Sequence, residues 1–283
     1  IMSGIECKQI KLPEGSPSQR GRSAEVYPWG EDKVLKLYFE GFPEADVDLE
    51  YLNTAEAYKC GCTPMKCYEK VRCGNRFGIV IGKVKGIPMT KTPEKNPFLL
   101  FSAPKTLAEQ HLRLQKHHSN NLPDIRDKAA ACLDAEQFGF LSSAEKEKIR
   151  GYLAALPAGD TFLHMDFHTE NILMDGKNAV VIDWMTAAKG QPAAEVAMMQ
   201  FLLHDAELFP GSSKLQLAFY SAVRNYLYRG FMKHYFKATG MKQEEVDRWK
   251  IVALIIRLGL WNIDSEKPYI EGEIKRLTED IGK

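Results

Sequence analysis

No apolar run in this chain approaches the ~18–20 residues needed to cross a bilayer. The longest, Ile251 to Ile256, has six residues and is closed by Arg257. The opening residues lack the apolar stretch of a signal peptide, and Met2, behind Ile1, is the expected native start. The chain therefore reads as cytoplasmic. An excess of one charge is also missing: 38 Lys and Arg oppose 37 Asp and Glu, a net of +1 over 283 residues. That balance gives no electrostatic reason to expect nucleic acid or an anionic membrane as partner. Repeats and low-complexity tracts are absent, and no residue pattern specifies an oligomer.

A zinc pattern is lacking too. Cysteines stand at 7, 60, 62, 67, 73 and 132. Cys60-Gly61-Cys62 with Cys67 and Cys73 matches no standard spacing and has no histidine nearby. These residues read as small buried hydrophobes in a reducing compartment. What is present is ordinary for a globular protein, 45% apolar and 10% aromatic residues. That suffices for a sizeable core, in one two-lobed domain or two small ones.

The first ~85 residues are strand-like and turn-rich. Glu25 to Tyr27 and Lys33 to Phe39 flank Pro28-Trp29-Gly30, a hairpin signal. Phe42 to Lys59 places Val47, Tyr51, Ala55 and Tyr58 at helical spacing, which predicts a helix with that face inward. Strands are expected at Met65 to Lys70 and Phe77 to Val84, with Gly74-Asn75 as the turn. Beyond Gly86 the texture is helical. Lys105 to His117 sets Leu107, His111 and Leu114 on one face, with His111 a core histidine whose hydrogen bonds are satisfied. Ser142 and Glu145 form a capping box, Pro192 suits a first helical turn, and Glu244 to Trp261 reads as one helix.

The informative stretch is His164-Met165-Asp166-Phe167-His168-Thr169-Glu170-Asn171-Ile172-Leu173, then a polar turn, then Val180-Val181-Ile182-Asp183-Trp184. Phosphoryl transfer from a nucleotide needs a carboxylate to orient and deprotonate the acceptor hydroxyl. It also needs oxygen ligands for Mg²⁺, which takes only one or two carboxylates. Asp166 precedes Asn171 by five residues in one loop. Ile172 to Met174 and Val180 to Ile182 read as a hairpin that returns Asp183 to the loop's neighbourhood.

His164-x-Asp166-x-x-x-x-Asn171, with Ile182-Asp183-Trp184 behind it, resembles the catalytic and metal-binding loops of the aminoglycoside phosphotransferase and choline kinase family. These are protein-kinase-like enzymes that phosphorylate small molecules, and His168 matches their usual second histidine. The resemblance implies an α+β, two-lobed fold. Residues 1–84 would form a small antiparallel-sheet lobe with one helix that binds nucleotide. Residues 85–283 would form a larger, mainly helical lobe with the catalytic loop and the acceptor site. By resemblance Asp166 is the catalytic base, Asn171 and Asp183 hold Mg²⁺, His164 braces the loop, and ATP or GTP is the donor.

Upstream, Val34-Leu35-Lys36-Leu37-Tyr38 carries one lysine inside an apolar run, costly to bury unless something negative meets it. The resemblance makes Lys36 the phosphate-gripping lysine and Glu50 its helix partner, with Asp48 and Glu56 also on offer. The phosphate loop departs from the kinase pattern. Arg20-Gly21-Arg22-Ser23-Ala24-Glu25 has no G-x-G-x-x-G, leaving Gly21 for backbone approach and Ser23 for a hydroxyl or N–H. Adenine would bond the Gly82 carbonyl and the Val84 N–H, and such backbone contacts leave ATP and GTP equally open. Gly190-Gln191-Pro192-Ala193-Ala194-Glu195 resembles the family's G-D-P-x-x-D segment, with Gln191 and Glu195 at its acidic positions. An acid there supports the catalytic loop through backbone amides. The wider match, including Gly21-Arg22-Ser23-Ala24-Glu25, is similar to a bacterial subgroup of the family.

The acceptor is expected to be a small hydroxylated molecule. Residues 196–283 hold 13 Lys and Arg against 11 Asp and Glu, which does not favour a polycationic aminoglycoside. Trp249, Trp261, Tyr226, Tyr228 and Tyr235 read as core, with a cation cage as the rarer use. The alternatives are a protein kinase and a nucleotide-binding pseudokinase. His168, the Ile-Asp-Trp triplet and only eight residues between Asp183 and Pro192 oppose the first. The joint presence of Lys36, Asp166, Asn171 and Asp183 opposes the second.

Overall fold

Short strands follow the turn signals at the start of the chain. The computed structural model describes residues 5–206 and 213–282; Met2, the expected start, lies outside them. The order is β1 (Cys7–Gln9), β2 (Gln19–Arg20), β3 (Ala24–Pro28), β4 (Lys33–Tyr38), α1 (Glu44–Lys59), β5 (Cys67–Cys73), β6 (Arg76–Gly82) and β7 (Ile87–Pro88). Next come α2 (Thr92–Lys95), α3 (Leu99–Leu114), α4 (Ile125–Cys132), α5 (Ser143–Ala155) and β8 (Thr161–Leu163). β9 (Ile172–Asp175), β10 (Asn178–Val181), β11 (Ala188–Gly190) and α6 (Pro192–Gln200) follow. The chain closes with α7 (Lys214–Thr239), α8 (Gln243–Asp247), α9 (Lys250–Trp261) and α10 (Lys267–Asp280). None of the described helices is long and apolar enough to cross a membrane.

Contacts divide the chain into two units. The first runs to Lys91 and includes Glu170–Ala187; the second is Thr92–Thr169 with the residues from Ala188 onward. In the first unit a six-stranded sheet has the order β1-β5-β6-β4-β3-β2, antiparallel except for β1, which pairs in parallel with β5. Alternation along β4 sends Leu35 and Leu37 into a cluster with Tyr27, Val71 and Val80 and turns Lys36 and Tyr38 to the opposite face. Gly78 on β6 permits the close approach of β4: a Cβ there would lie 2.7 Å from the Lys36 carbonyl oxygen. A small second sheet joins β10, β9 and β7.

The helix expected at 42–59 forms, but it buries a different face. Val47, Glu50, Asn53, Thr54 and Ala57 point inward, whereas Tyr58 is exposed. Apolar spacing located the helix; a polar requirement on the inside, the lysine of β4, set its rotation.

In the second unit, α9 is apolar except for Lys250 and Arg257 and is buried from Ile251 to Leu258. Its one buried charge, Arg257, donates to both oxygens of Glu266 at 2.7 and 2.9 Å. The single helix expected from Glu244 to Trp261 is two, α8 and α9, separated by a turn at Arg248 and Trp249, whose ring is buried. The capping box at Ser142 and the first-turn proline at Pro192 are both present. On α7, Gly230 packs against Pro104 of α3, leaving no room for a side chain.

Gly78→Ala should lower unfolding stability by about 1–3 kcal/mol, since the added methyl presses β4 from β6. Denaturant titration checks this, and an unchanged midpoint would refute the close-approach account.

Candidate active site

Lys36 and Glu50 meet inside the first unit. The Lys36 ammonium donates to both Glu50 oxygens, at 2.7 and 2.9 Å, and to Asp183 Oδ1 at 3.2 Å. The Tyr38 hydroxyl also donates to Glu50. Lys36 and Tyr38 are two apart on one strand, so they share a face by the period of the pleat. Burial alone would pull the Lys36 pKa down; Asp183 and Glu50 outweigh it and hold the ammonium above its ordinary value. Glu50 is raised by burial, with Lys36 drawing it back. The other candidate partners are engaged elsewhere: Asp48 pairs with the buried Lys70 at 2.5 Å, and Glu56 lies 3.9 Å from Lys59.

Asn171 precedes β9 and Asp183 follows β10, so both lie at the open end of the β9–β10 hairpin. Val181 pairs with Ile172, and the Ile182 N–H donates to the Asn171 carbonyl at 3.0 Å. This pairing brings Asn171 and Asp183 to the same end of the hairpin. Asn53 of α1 donates to the Met185 carbonyl, and Thr63 to that of Val181, tying the hairpin to the first sheet and its helix. Asp183 has φ +67°, a left-handed conformation that costs a non-glycine residue about 1–3 kcal/mol and clusters at functional sites.

An amide oxygen and a carboxylate are the hard donors Mg²⁺ prefers. No group of three or more His, Cys, Asp or Glu suited to a metal occurs among the described residues. A cation on Asn171 and Asp183 would thus need further oxygens, which nucleotide phosphates supply. The six cysteines are free, and each is half-buried rather than fully buried as expected. Burial pushes Cys62 and Cys67 up to about 12, so neither is a thiolate nucleophile.

The proposed phosphate loop is a tight turn between β2 and β3. Gly21 N–H donates to the Ala24 carbonyl at 2.8 Å, and the Ser23 carbonyl accepts from Phe39 N–H at 2.9 Å. The Gly21 amide is therefore engaged in the turn, which departs from the open backbone approach expected of it. Gly82 ends β6 with its N–H on the Lys66 carbonyl at 2.8 Å; Val84 follows two residues later.

Asp166 lies in the second unit. The loop bearing it is held from below by Glu195 on α6, fully buried, which accepts from the backbone N–H groups of His164 and Met165. Met165 has φ +62°, a left-handed non-glycine conformation like that of Asp183 in the first unit. His164 Nδ1 accepts from Asp166 N–H at 3.2 Å, and His168 Nε2 is 3.4 Å from Asp166 Oδ2. Gln191, at the other acidic position of the family segment, donates to the Ala158 carbonyl instead. Burial pushes the Glu195 carboxyl up to about 8 against the two amides, with Asp166 adding to the rise.

His111 is buried as expected, but its ring nitrogens have no hydrogen-bond partner, which corrects the expectation of a satisfied histidine. Tyr235 and Trp249 are core, while Tyr226 is exposed. Tyr38 and Met165 went unnoticed in the sequence. Tyr38 was readable from its i+2 spacing to Lys36; nothing local announces the Met165 conformation.

Glu195 gives a signed pH prediction. Its folded pKa of about 8 exceeds the ordinary 4.5, so the folded state holds this proton more tightly. The associated stability is complete below about 4.5 and is lost as pH rises to about 8. The slope from this one proton is at most about 1.4 kcal/mol per pH unit. Melting curves between pH 5 and 8 should show that decline in the wild type and a flatter profile in Glu195→Gln; parallel profiles would refute the assignment.

The APH family model, that of the phosphotransferase enzyme family, matches residues 48–228. No curated protein sequence matches the chain. Among solved structures, a thermostable mutant of aminoglycoside phosphotransferase APH(4)-Ia in ternary complex with AMP-PNP and hygromycin B is similar. It has a TM-score of 0.62 at 15% identity, over 95% of this chain and 97% of that one. A choline/ethanolamine kinase family protein from Mesorhizobium loti gives 0.53 at 16% identity, over 95% and 89%. ADP-bound APH(2'')-Ib gives 0.53 at 14%, over 95% and 93%. At these identities the likeness shows the fold: protein-kinase-like, with a small N-terminal sheet lobe and a larger helical C-terminal part. With well over half of its length matched by the family model, the chain belongs to the phosphotransferase enzyme family.

Proposed function

We propose that this protein moves the γ-phosphate of a nucleoside triphosphate, ATP or GTP, to a hydroxyl of a small molecule. The observation that carries the reading is the Lys36–Glu50–Asp183 cluster, a part-buried lysine donating to both oxygens of one buried carboxylate and reaching a second at 3.2 Å. A fixed cation there serves to grip the α- and β-phosphates. Asp166 acts as the base that orients and deprotonates the acceptor hydroxyl. Asn171 and Asp183 are the Mg²⁺ ligands; a bound Mg²⁺ supplies charge neutralisation on the phosphates. Ser23 lines the phosphate loop, Gly21 shapes its turn, and the Gly82 carbonyl and Val84 N–H form the adenine contacts. In this reading residues 1–84 serve the nucleotide and 85–283 the acceptor.

The acceptor is better matched by a neutral or zwitterionic hydroxylated metabolite than by a polycation such as the hygromycin B of the APH(4)-Ia complex. Residues 196–283 carry 13 Lys and Arg against 11 Asp and Glu. Within them α7 has cations at Lys214, Arg224, Arg229, Lys233 and Lys237 and no acidic residue. A polycation docking on that helix would meet repulsion.

Two substitutions separate the roles. Asp166→Ala should cut phosphoryl transfer by about 10²–10⁴-fold while Mg·nucleotide affinity stays within a few-fold. Asp183→Ala should weaken Mg²⁺-dependent nucleotide binding at least tenfold, and unchanged binding would show the metal misplaced. ADP or GDP release across sugars, amino alcohols and aminoglycosides identifies the acceptor. Tight nucleotide binding with no turnover on any of them would favour a pseudokinase.

A further inference from the structure

Beneath the Asp166 loop lies a titratable group to which the reaction as described gives no task. His111, on α3, is fully buried, with its ring against Phe167 of the loop and against Phe231 and Tyr235 of α7, at centroid distances of 5.0, 5.4 and 5.3 Å. Neither ring nitrogen has a hydrogen-bond partner. A buried polar atom left unsatisfied costs about 1–3 kcal/mol, a cost that phenylalanine in the same aromatic nest would avoid. One nitrogen, Nε2, is aimed at Glu195 Oε1 from 3.9 Å. An approach of about 1 Å would make a hydrogen bond.

Glu195 Oε1 is the oxygen that accepts from Met165 N–H at 3.0 Å. Its position bears on the left-handed residue immediately before Asp166. The titratable groups facing Glu195 are His164 and Asp166 from the loop, His111 from α3 and Tyr235 from α7. Burial, with His164 adding to it, drives the His111 pKa down to about 3, so the ring is neutral. A neutral imidazole has one N–H and one bare nitrogen. It can donate to a carboxylate or accept from a carboxylic acid, and so can serve Glu195 on either side of that group's titration near 8.

We propose that His111 is a positioning residue for the phosphotransferase, bonding Glu195 Oε1 through Nε2 so that the carboxyl keeps the His164 and Met165 amides, and through them Asp166, in place. Its catalytic meaning rests on the function proposed above; the hydrogen bond itself does not. Below the Glu195 pKa the carboxylic O–H donates to Nε2 and the ring proton sits on Nδ1. Above it, Nε2–H donates to the carboxylate.

Amide hydrogen exchange of the full chain tests this without acceptor or turnover. In His111→Phe, which keeps the aromatic packing, protection at the His164 and Met165 amides should fall about tenfold, a local opening, while amides of α9 keep theirs. His111→Gln, which retains a donor and an acceptor, should recover most of the loss. Equal protection in wild type and His111→Phe would overturn the proposal. So would a uniform loss across the second unit, or a glutamine variant as deprotected as the phenylalanine one. If His111→Phe does not fold, nitrogen-15 spectra of the wild-type ring decide. A change of tautomer from Nδ1–H to Nε2–H between pH 6.5 and 9.5 supports the proposal, and a pH-independent tautomer overturns it. Failure here leaves the phosphotransfer reading standing, while failure of the Asp166 test leaves the His111 bond untouched.

Discussion

A part-buried ammonium set against a buried carboxylate constrains everything around it. Removing either ion from water costs several kcal/mol, and only close, multiply bonded geometry offsets it. In this protein Lys36 and Glu50 satisfy that demand with two hydrogen bonds and a third from Tyr38. The consequences spread outward. β4 must turn Lys36 and Tyr38 to one face, leaving Leu35 and Leu37 for the core on the other. α1 must rotate its polar residues inward, against its apolar spacing. The β9–β10 hairpin must bring Asp183 within reach of the same ammonium. A pair of this kind is weak evidence for stability, since well-packed apolar residues of similar volume often do as well.

A second constraint acts on the backbone of the two candidate loops. Met165 and Asp183 both occupy left-handed conformations that their side chains disfavour. Each is held by hydrogen bonds from the surrounding structure: Glu195 on the Met165 amide, and the hairpin pairing with its ties to Asn53 and Thr63 beside Asp183. Strain of this kind persists only where neighbouring contacts over-determine it. Both instances fall beside the acids proposed to do chemistry, which is where preorganisation has a use. Glu195 carries one methylene more than the aspartate of the family segment, yet still reaches two loop amides.

Much of the candidate site was legible because its residues are close in sequence or obey a period. Asp166, Asn171 and Asp183 lie within 18 residues, and the hairpin joining two of them is marked by apolar runs around a polar turn. Lys36 stood out as one cation in an apolar strand. The choice among Asp48, Glu50 and Glu56 was not legible from spacing alone, because all three lie on one helix and only its rotation separates them. That rotation followed a polar partner rather than apolar periodicity. The break in the 244–261 segment was not legible either, because the apolar and helix-forming pattern runs through Arg248 and Trp249 without a proline or glycine to mark the turn.

By itself, the sequence determined which groups are available and how they are spaced: the lysine on its strand, the acids and amide of the loop and hairpin, the capping boxes and the near-neutral charge. These follow from local chemistry and chain connectivity, which need no fold to be read. Tertiary structure decided which of those groups meet. It set Glu50 against Lys36, Glu195 beneath the Met165 amide and Nε2 of His111 beside Glu195. It also committed the Gly21 amide to a turn. Such pairings depend on helix rotation, burial and left-handed backbone, quantities settled by packing across many residues and by the cost of leaving a buried charge or polar atom without a partner.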